Sequence, residues 1–125
     1  MMIRQSLGWV MVGALVGGAA IYGTATGAQA PPKQSYKGVV TPIGPYSPGV
    51  GTSGTVYLSG QIGIDPATNQ IVAGGTEVEA RRAMENLGAV LKEAGLGYGH
   101  VVKTTIYMVD LAEFTKVNEI YGSFF

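Results

Sequence analysis

Cysteine is absent from the 125-residue chain. Its absence excludes disulfides, thiol catalysis and a structural cysteine-zinc site, and makes the chain indifferent to the redox state of its compartment. Histidine occurs once, as His100. One imidazole with no thiol cannot supply the ligand set of a transition-metal site. No G-x-S-x-G elbow is present to make it the base of a serine triad. Charge is scarce and balanced, with eight Lys and Arg against eight Asp and Glu. The chain therefore carries no electrostatic footprint for nucleic acid or for an acidic membrane surface. Its aromatic residues are not interleaved with basic ones, which argues against a single-strand binding groove.

A clean membrane span, which needs about 20 apolar residues, is also missing. The apolar run from Leu7 to Tyr22 is short and rich in glycine. Arg4 precedes it and Ala28-Gln29-Ala30 follows. This is the order of a secretory signal peptide. Met1–Ala30 is accordingly expected to direct export, to the periplasm or outside the cell. An uncleaved membrane anchor is the alternative, because Pro31 disfavours cleavage directly after Ala30. Arg4 stands alone, so a twin-arginine signal is not supported. Residues 31–38 read as a polar linker, and 39–125 as a single domain.

Within that domain Val39-Val40 suggests a short first strand. The segment Thr41 to Gly49 carries three prolines and two glycines, which makes a rigid irregular loop that holds Tyr46 in place. Gly49-Val50-Gly51-Thr52-Ser53-Gly54 matches G-x-G-x-x-G, but a strand rather than a helix follows it. The dinucleotide reading fails, and the stretch is expected to be a hairpin turn. Val56 to Asp65 begins as a strand, with Val56, Leu58 and Ile62 on one face and Tyr57, Ser59 and Gln61 on the other. Ser59-Gly60 puts a hydroxyl and a bare backbone N–H in that strand, which marks either a bulge or the close approach of a ligand. Asp65-Pro66 and Thr68-Asn69 turn the chain into a hairpin partner at Gln70-Ile71-Val72.

Thr76 to Glu79 reads as a capping box. It opens a helix to about Ala94 with Ala80, Met84, Leu87, Val90, Leu91 and Ala94 on one stripe. Gly95 ends it. Val101–Val109 alternates like a second long strand. Asp110 to Glu113 reads as another capping box, before a helix with Leu111, Phe114, Val117, Tyr121 and Phe124 on its apolar stripe. Asn118 sits inside that helix, where asparagine is disfavoured. The residues alone describe a small α+β domain with one unusual polar strand. They leave an enzyme and a small-ligand binding module both open.

Four stretches carry a further pattern: Pro42-Ile43-Gly44-Pro45-Tyr46-Ser47, Val56 to Gly63, Val102 to Tyr107, and Val117-Asn118-Glu119-Ile120-Tyr121 with Phe124-Phe125. Each is weak alone. In this order and spacing they resemble the RidA (YjgF) family of reactive-intermediate deaminases, over about Val39 to Phe125. The resemblance implies a chorismate-mutase-like α+β fold, with two helices on one face of a mixed sheet. It implies a homotrimer with active sites between subunits, and no cofactor or metal. It implies hydrolysis of short 2-enamino and 2-imino acids, a small-molecule substrate, to 2-keto acids and ammonia. Tyr46, Ser59, Gly60, Asn118 and Tyr121 match family positions that line the substrate cleft, with the Gly60 N–H donating to the substrate carboxylate. The family's Pro-Ala-Arg-Ser segment and the final strand with its glutamate would lie beyond Phe125, and Arg81 and Arg82 do not match that arginine. No catalytic residue is therefore assigned. The chain is expected to be a C-terminally truncated member, lacking C-terminal strands and impaired in activity. The alternative is a non-catalytic binding or holdase-like role.

Overall fold

A tight turn starts the fold. Ser53 and Gly54 both take positive φ, 52° and 78°, the backbone that matches the right-handed twist of flanking strands in a two-residue hairpin. They join β2 (Gly49–Thr52) to β3 (Thr55–Leu58), so the G-x-G-x-x-G stretch is a hairpin as expected. The computed structural model describes residues 30–125. The expected signal peptide, Met1–Ala30, falls almost wholly outside the described residues. Pro32–Phe125 forms one compact unit.

β1 (Gln34–Tyr36) pairs antiparallel with β2 and completes a three-stranded sheet in the order β1-β2-β3. It lies inside the stretch expected as a linker, whereas the expected strand at Val39-Val40 is a bend. β4 (Ile64–Asp65) and β5 (Gln70–Ile71) form the expected second hairpin, with Asn69 at φ 56°. Asp65 Oδ1 accepts the Ala67 N–H at 2.8 Å and closes the turn locally.

Helix α1 (Thr76–Glu93) is the long amphipathic helix. Its N-cap is Gly75 rather than Thr76, and no side chain caps it. The Gly74-Gly75 pair, both at positive φ, swings the chain into the helix one residue early. The Glu79 N–H donates to the Gly75 carbonyl, and the expected capping box does not form. At the other end the Gly95 N–H donates to Lys92 and the Leu96 N–H to Leu91, with Gly95 at φ 73°. This is a Schellman ending. Val90, 1% exposed, packs its methyl groups on the sheet. A Cβ at Gly49 would lie 2.9 Å from Val90 Cγ1, so this glycine lets helix and sheet touch.

A 3₁₀ turn (Tyr98–His100) leads into Val101–Val109. That segment was expected to be a strand and is not one. Its alternating pattern is intact, but no described strand offers it a ladder, and a strand without a partner has no backbone bonds to hold it. Val102 and Tyr107 are 97% and 92% exposed. Asp110 caps the next turn by accepting the Ala112 N–H at 2.8 Å. Glu113 pairs with Lys116 at 3.3 Å instead of reaching back. A 3₁₀ turn (Leu111–Glu113) thus precedes helix α2 (Phe114–Gly122). Lys116 also meets Glu77 of α1 at 3.5 Å, and Glu113 and then Glu77 raise its pKa.

The buried face of α2 is Val117 and Ile120, while Leu111 and Phe114 stay exposed. Of the expected stripe, Val117 is buried and Tyr121 and Phe124 are half-buried, and Ile120 joins the buried face. Phe124 and Phe125 stack on Tyr98 at 5.2 and 5.6 Å, and Phe125 also stacks on Tyr121 at 4.6 Å. The two terminal aromatics therefore have partners. The described architecture is α+β: two antiparallel sheets and two helices, with a small core of Ile64, Val90, Leu91, Val117 and Ile120.

Candidate functional site

The chain leaves β3 at Leu58 and does not rejoin a ladder until Ile64. Residues 59–63, expected to continue the strand, form an arch. Its attachments are few and specific. The Ser59 N–H donates to the Pro48 carbonyl at 2.9 Å, and the Val72 N–H donates to the Gly63 carbonyl at 2.8 Å. Asn86 of α1, only 2% exposed, donates through Nδ2 to the carbonyls of Ile62 and Ile64 at 3.0 and 2.8 Å. Gly63 lies so close to α1 that a Cβ there would sit 2.8 Å from the Glu79 Cα and carbonyl oxygen.

What the arch leaves free matters more. Among the described residues no hydrogen bond engages the N–H of Gly60, Gln61, Ile62 or Gly63. Gly60 is exposed, and a Cβ placed on it would meet nothing within 4 Å. The Gln61 amide donates to Ser59 Oγ at 3.3 Å and approaches the Ser59 carbonyl at 3.4 Å. With its oxygen accepting, the Ser59 hydroxyl keeps its own proton available to a ligand. An exposed N–H beside a hydroxyl suits a carboxylate oxygen.

Tyr46 belongs to the same end of the sheet. It lies two residues before Pro48, whose carbonyl receives the Ser59 N–H. Its own N–H turns back to Gly44 at 2.9 Å, and its ring is 45% exposed. The proline-containing loop, irregular as expected, leaves Tyr46 exposed two residues before that anchor. Asn118 and Tyr121 form a second group, on α2. Tyr121 shares a 2.5 Å hydrogen bond with Thr104, which ties α2 to the Val101–Val109 segment. Asn118 is exposed. No hydrogen bond among the described residues joins the two groups. Two concave regions of the described surface, one at the β2-β3 hairpin beside Tyr36 and one between the helices beside Arg81, include none of the five residues.

His100 is engaged in its own turn. Its Nδ1 accepts the Gly97 N–H at 3.1 Å, as expected of a structural histidine. Among the described residues no cluster of three His, Cys, Asp or Glu side chains could hold a metal ion, and no helix is long and apolar enough to cross a membrane. Asn86 escaped the sequence reading. The signal was present: it lies four residues before Val90, so a polar side chain disfavoured in helices shares the buried face.

The sequence pattern of the Endoribonuclease L-PSP family matches residues 37–125. The chain is 49% identical over 83 residues to the 2-iminobutanoate/2-iminopropanoate deaminase of Mus musculus, covering 66% of this chain and 62% of that one. The RutC family protein slr0709 of Synechocystis is 46% identical over 85 residues, covering 67% of this chain and 65% of the relative. The chain belongs to the RidA/YjgF family, described as Endoribonuclease L-PSP. The fold agrees. The YjgF gene product of E. coli superposes with a TM-score of 0.69 at 35% identity, covering 74% of this chain and 73% of that one. RidA from an Antarctic Psychrobacter superposes with a TM-score of 0.70 at 32% identity, covering 74% and 76%. E. coli TdcF with bound serine gives 0.70 at 35%, covering 74% and 73%. The chain spans about three fifths of the length of the mammalian relatives it matches.

Proposed function

We propose that the protein hydrolyses short 2-enamino and 2-imino acids to 2-keto acids and ammonia, without a cofactor. The observation that carries this reading is the exposed, unengaged N–H of Gly60 with the Ser59 hydroxyl next to it in the arch. They would take the substrate carboxylate and fix its orientation. The imine carbon next to it is already electrophilic. Water adds to that carbon, and the carbinolamine expels its nitrogen as ammonia after the nitrogen gains a proton. An enamine first takes a proton on its β-carbon and becomes the imine. Anchoring and placement are most of what such a reaction needs.

The family's description as an endoribonuclease offers a competing chemistry. Strand cleavage calls for a cationic surface on the phosphates and a paired acid and base. This chain has zero net charge and one histidine, whose Nδ1 is occupied by Gly97. The imino-acid reading is therefore preferred, and it accords with the names of the deaminase relatives.

Tyr46, Asn118 and Tyr121 would complete the cleft between neighbouring subunits of a chorismate-mutase-like homotrimer. One feature supports that assembly: Val102, Ile106, Tyr107 and Val109 of the Val101–Val109 segment are exposed. Export through Met1–Ala30 is part of the same proposal, and rests on the sequence order alone. The test generates 2-aminoacrylate enzymatically and measures ammonia release, with an RNA cleavage assay beside it. Ammonia release above the uncatalysed rate but weaker than that of the deaminase relatives, with intact RNA, is expected. Cleaved RNA without deamination overturns the proposal. Binding of a 2-keto acid with no turnover favours the ligand-binding alternative.

A further inference from the structure

The arch presents its free donors only if its backbone holds one conformation, yet no sheet ladder supports residues 59–63. We infer that Asn86 is a positioning residue for the substrate carboxylate, acting through the arch rather than by touching substrate. The inference rests on the deaminase reading of the site. Asn86 spends both protons of its amide on one segment, at the Ile62 and Ile64 carbonyls. Those carbonyls lie two residues apart, and the Ile64 N–H also donates to the Ile62 carbonyl at 2.8 Å, so the amide and this tight turn together fix the orientation of the intervening peptides. The clamp closes immediately after Gly60 and Gln61.

On the other side the Ser59 N–H is fixed to Pro48. Gly63 is pressed against Glu79 with no room for a side chain. The arch is thus held through the Ser59 N–H and the carbonyls of Ile62, Gly63 and Ile64, while the N–H groups of residues 60–63 stay free, that of Gly60 at an exposed position. Asn86 is the only buried polar side chain among the described residues, and no side-chain nitrogen or oxygen buried there lacks a partner. A residue needed only for helix packing at this position would be apolar, as Val90 and Leu91 are. Loss of the amide should let the arch rotate its peptides and scatter the donors, a misplacement that costs affinity about 10- to 100-fold.

The experiment uses the ¹⁵N-labelled chain and 2-oxobutanoate, a keto acid of the proposed product class, as the probe. In the wild-type protein the Gly60 and Gln61 amide resonances should shift on titration, and the Asn86 side-chain NH₂ resonances should shift with the same Kd. The variant Asn86→Ser should weaken that Kd at least about tenfold and raise KM more than it lowers kcat. Leu91→Ala, a destabilising control on the same helix, should leave Kd nearly unchanged. A folded Asn86→Ser protein with wild-type Kd overturns the assignment, and so does an equal loss in Leu91→Ala. If Asn86→Ser does not fold, the wild-type titration decides alone: Asn86 resonances that ignore the ligand overturn it. A wild-type chain that binds no keto acid removes the deaminase reading and this inference together, whereas binding without Asn86 dependence removes only the inference.

Discussion

Gly60 and Gly63 stand three residues apart and do opposite things. Gly60 faces open space, so Gly60→Val should leave the fold's stability within about 0.5 kcal/mol, the usual range for surface changes. Its effect should appear in KM, because the new side chain crowds the free N–H groups that would meet the carboxylate. Unchanged KM in a folded variant would remove Gly60 from the site. Gly63 is confined by Glu79. Gly63→Ala should cost about 1–3 kcal/mol through overpacking, read as a lower midpoint in urea denaturation. Tyr98 is a third case. Its hydroxyl donates to the Met84 carbonyl at 2.6 Å, and burial, followed by the charge of Glu85, raises its pKa above the ordinary 10.0. A phenol whose folded pKa exceeds its unfolded one stabilises the fold below pH 10.0 and loses that contribution as pH climbs through the raised value. Stability should therefore fall on the alkaline side in the wild type and fall less in Tyr98→Phe, as thermal melts between pH 8 and 11 would register.

At the scale of elements, the ends of α1 show how local chemistry sets a boundary. Gly95 accepts the left-handed conformation that the Schellman ending requires, and a Cβ there would touch nothing. Gly95→Ala should cost about 1 kcal/mol from backbone strain alone, with no effect on ligand binding. A larger loss would mean that the helix end has contacts beyond its own carbonyls. The hairpins and both helices were legible because each is specified within ten or twenty residues, by alternation, helical spacing and turn chemistry. Val101–Val109 was misread for the complementary reason. Alternation records which faces a strand would show, but a ladder exists only where another strand lies alongside, and that information is not in the segment.

For the molecule as a whole, the exposed apolar side chains of Val101–Val109 set the expectation. Apolar surface of this kind drives association, and extended segments with unpaired backbone accept further strands. Val109→Lys should move the protein toward smaller species in size-exclusion chromatography and lower turnover in proportion, if clefts form between subunits. A variant that keeps both the assembly and the activity of the wild type would place the contact elsewhere. Cell fractionation tests export directly, and a full-length cytoplasmic product would end that proposal.

The sequence by itself determined the hairpin at Ser53-Gly54, the stop of α1 at Gly95, the irregular loop around Tyr46, and the family. These follow from short-range backbone preferences and from motifs that survive in linear order. Tertiary structure decided the rest. It made residues 59–63 an arch rather than a strand, because Asn86 and Pro48 bind that backbone where no neighbouring strand does. It set Ile120 beside Val117 on the buried face of α2, where that helix packs against α1. It kept Tyr46, Ser59 and Gly60 apart from Asn118 and Tyr121 in hydrogen bonding, since contacts between distant segments depend on how helices and sheets pack and leave no periodic trace in the chain.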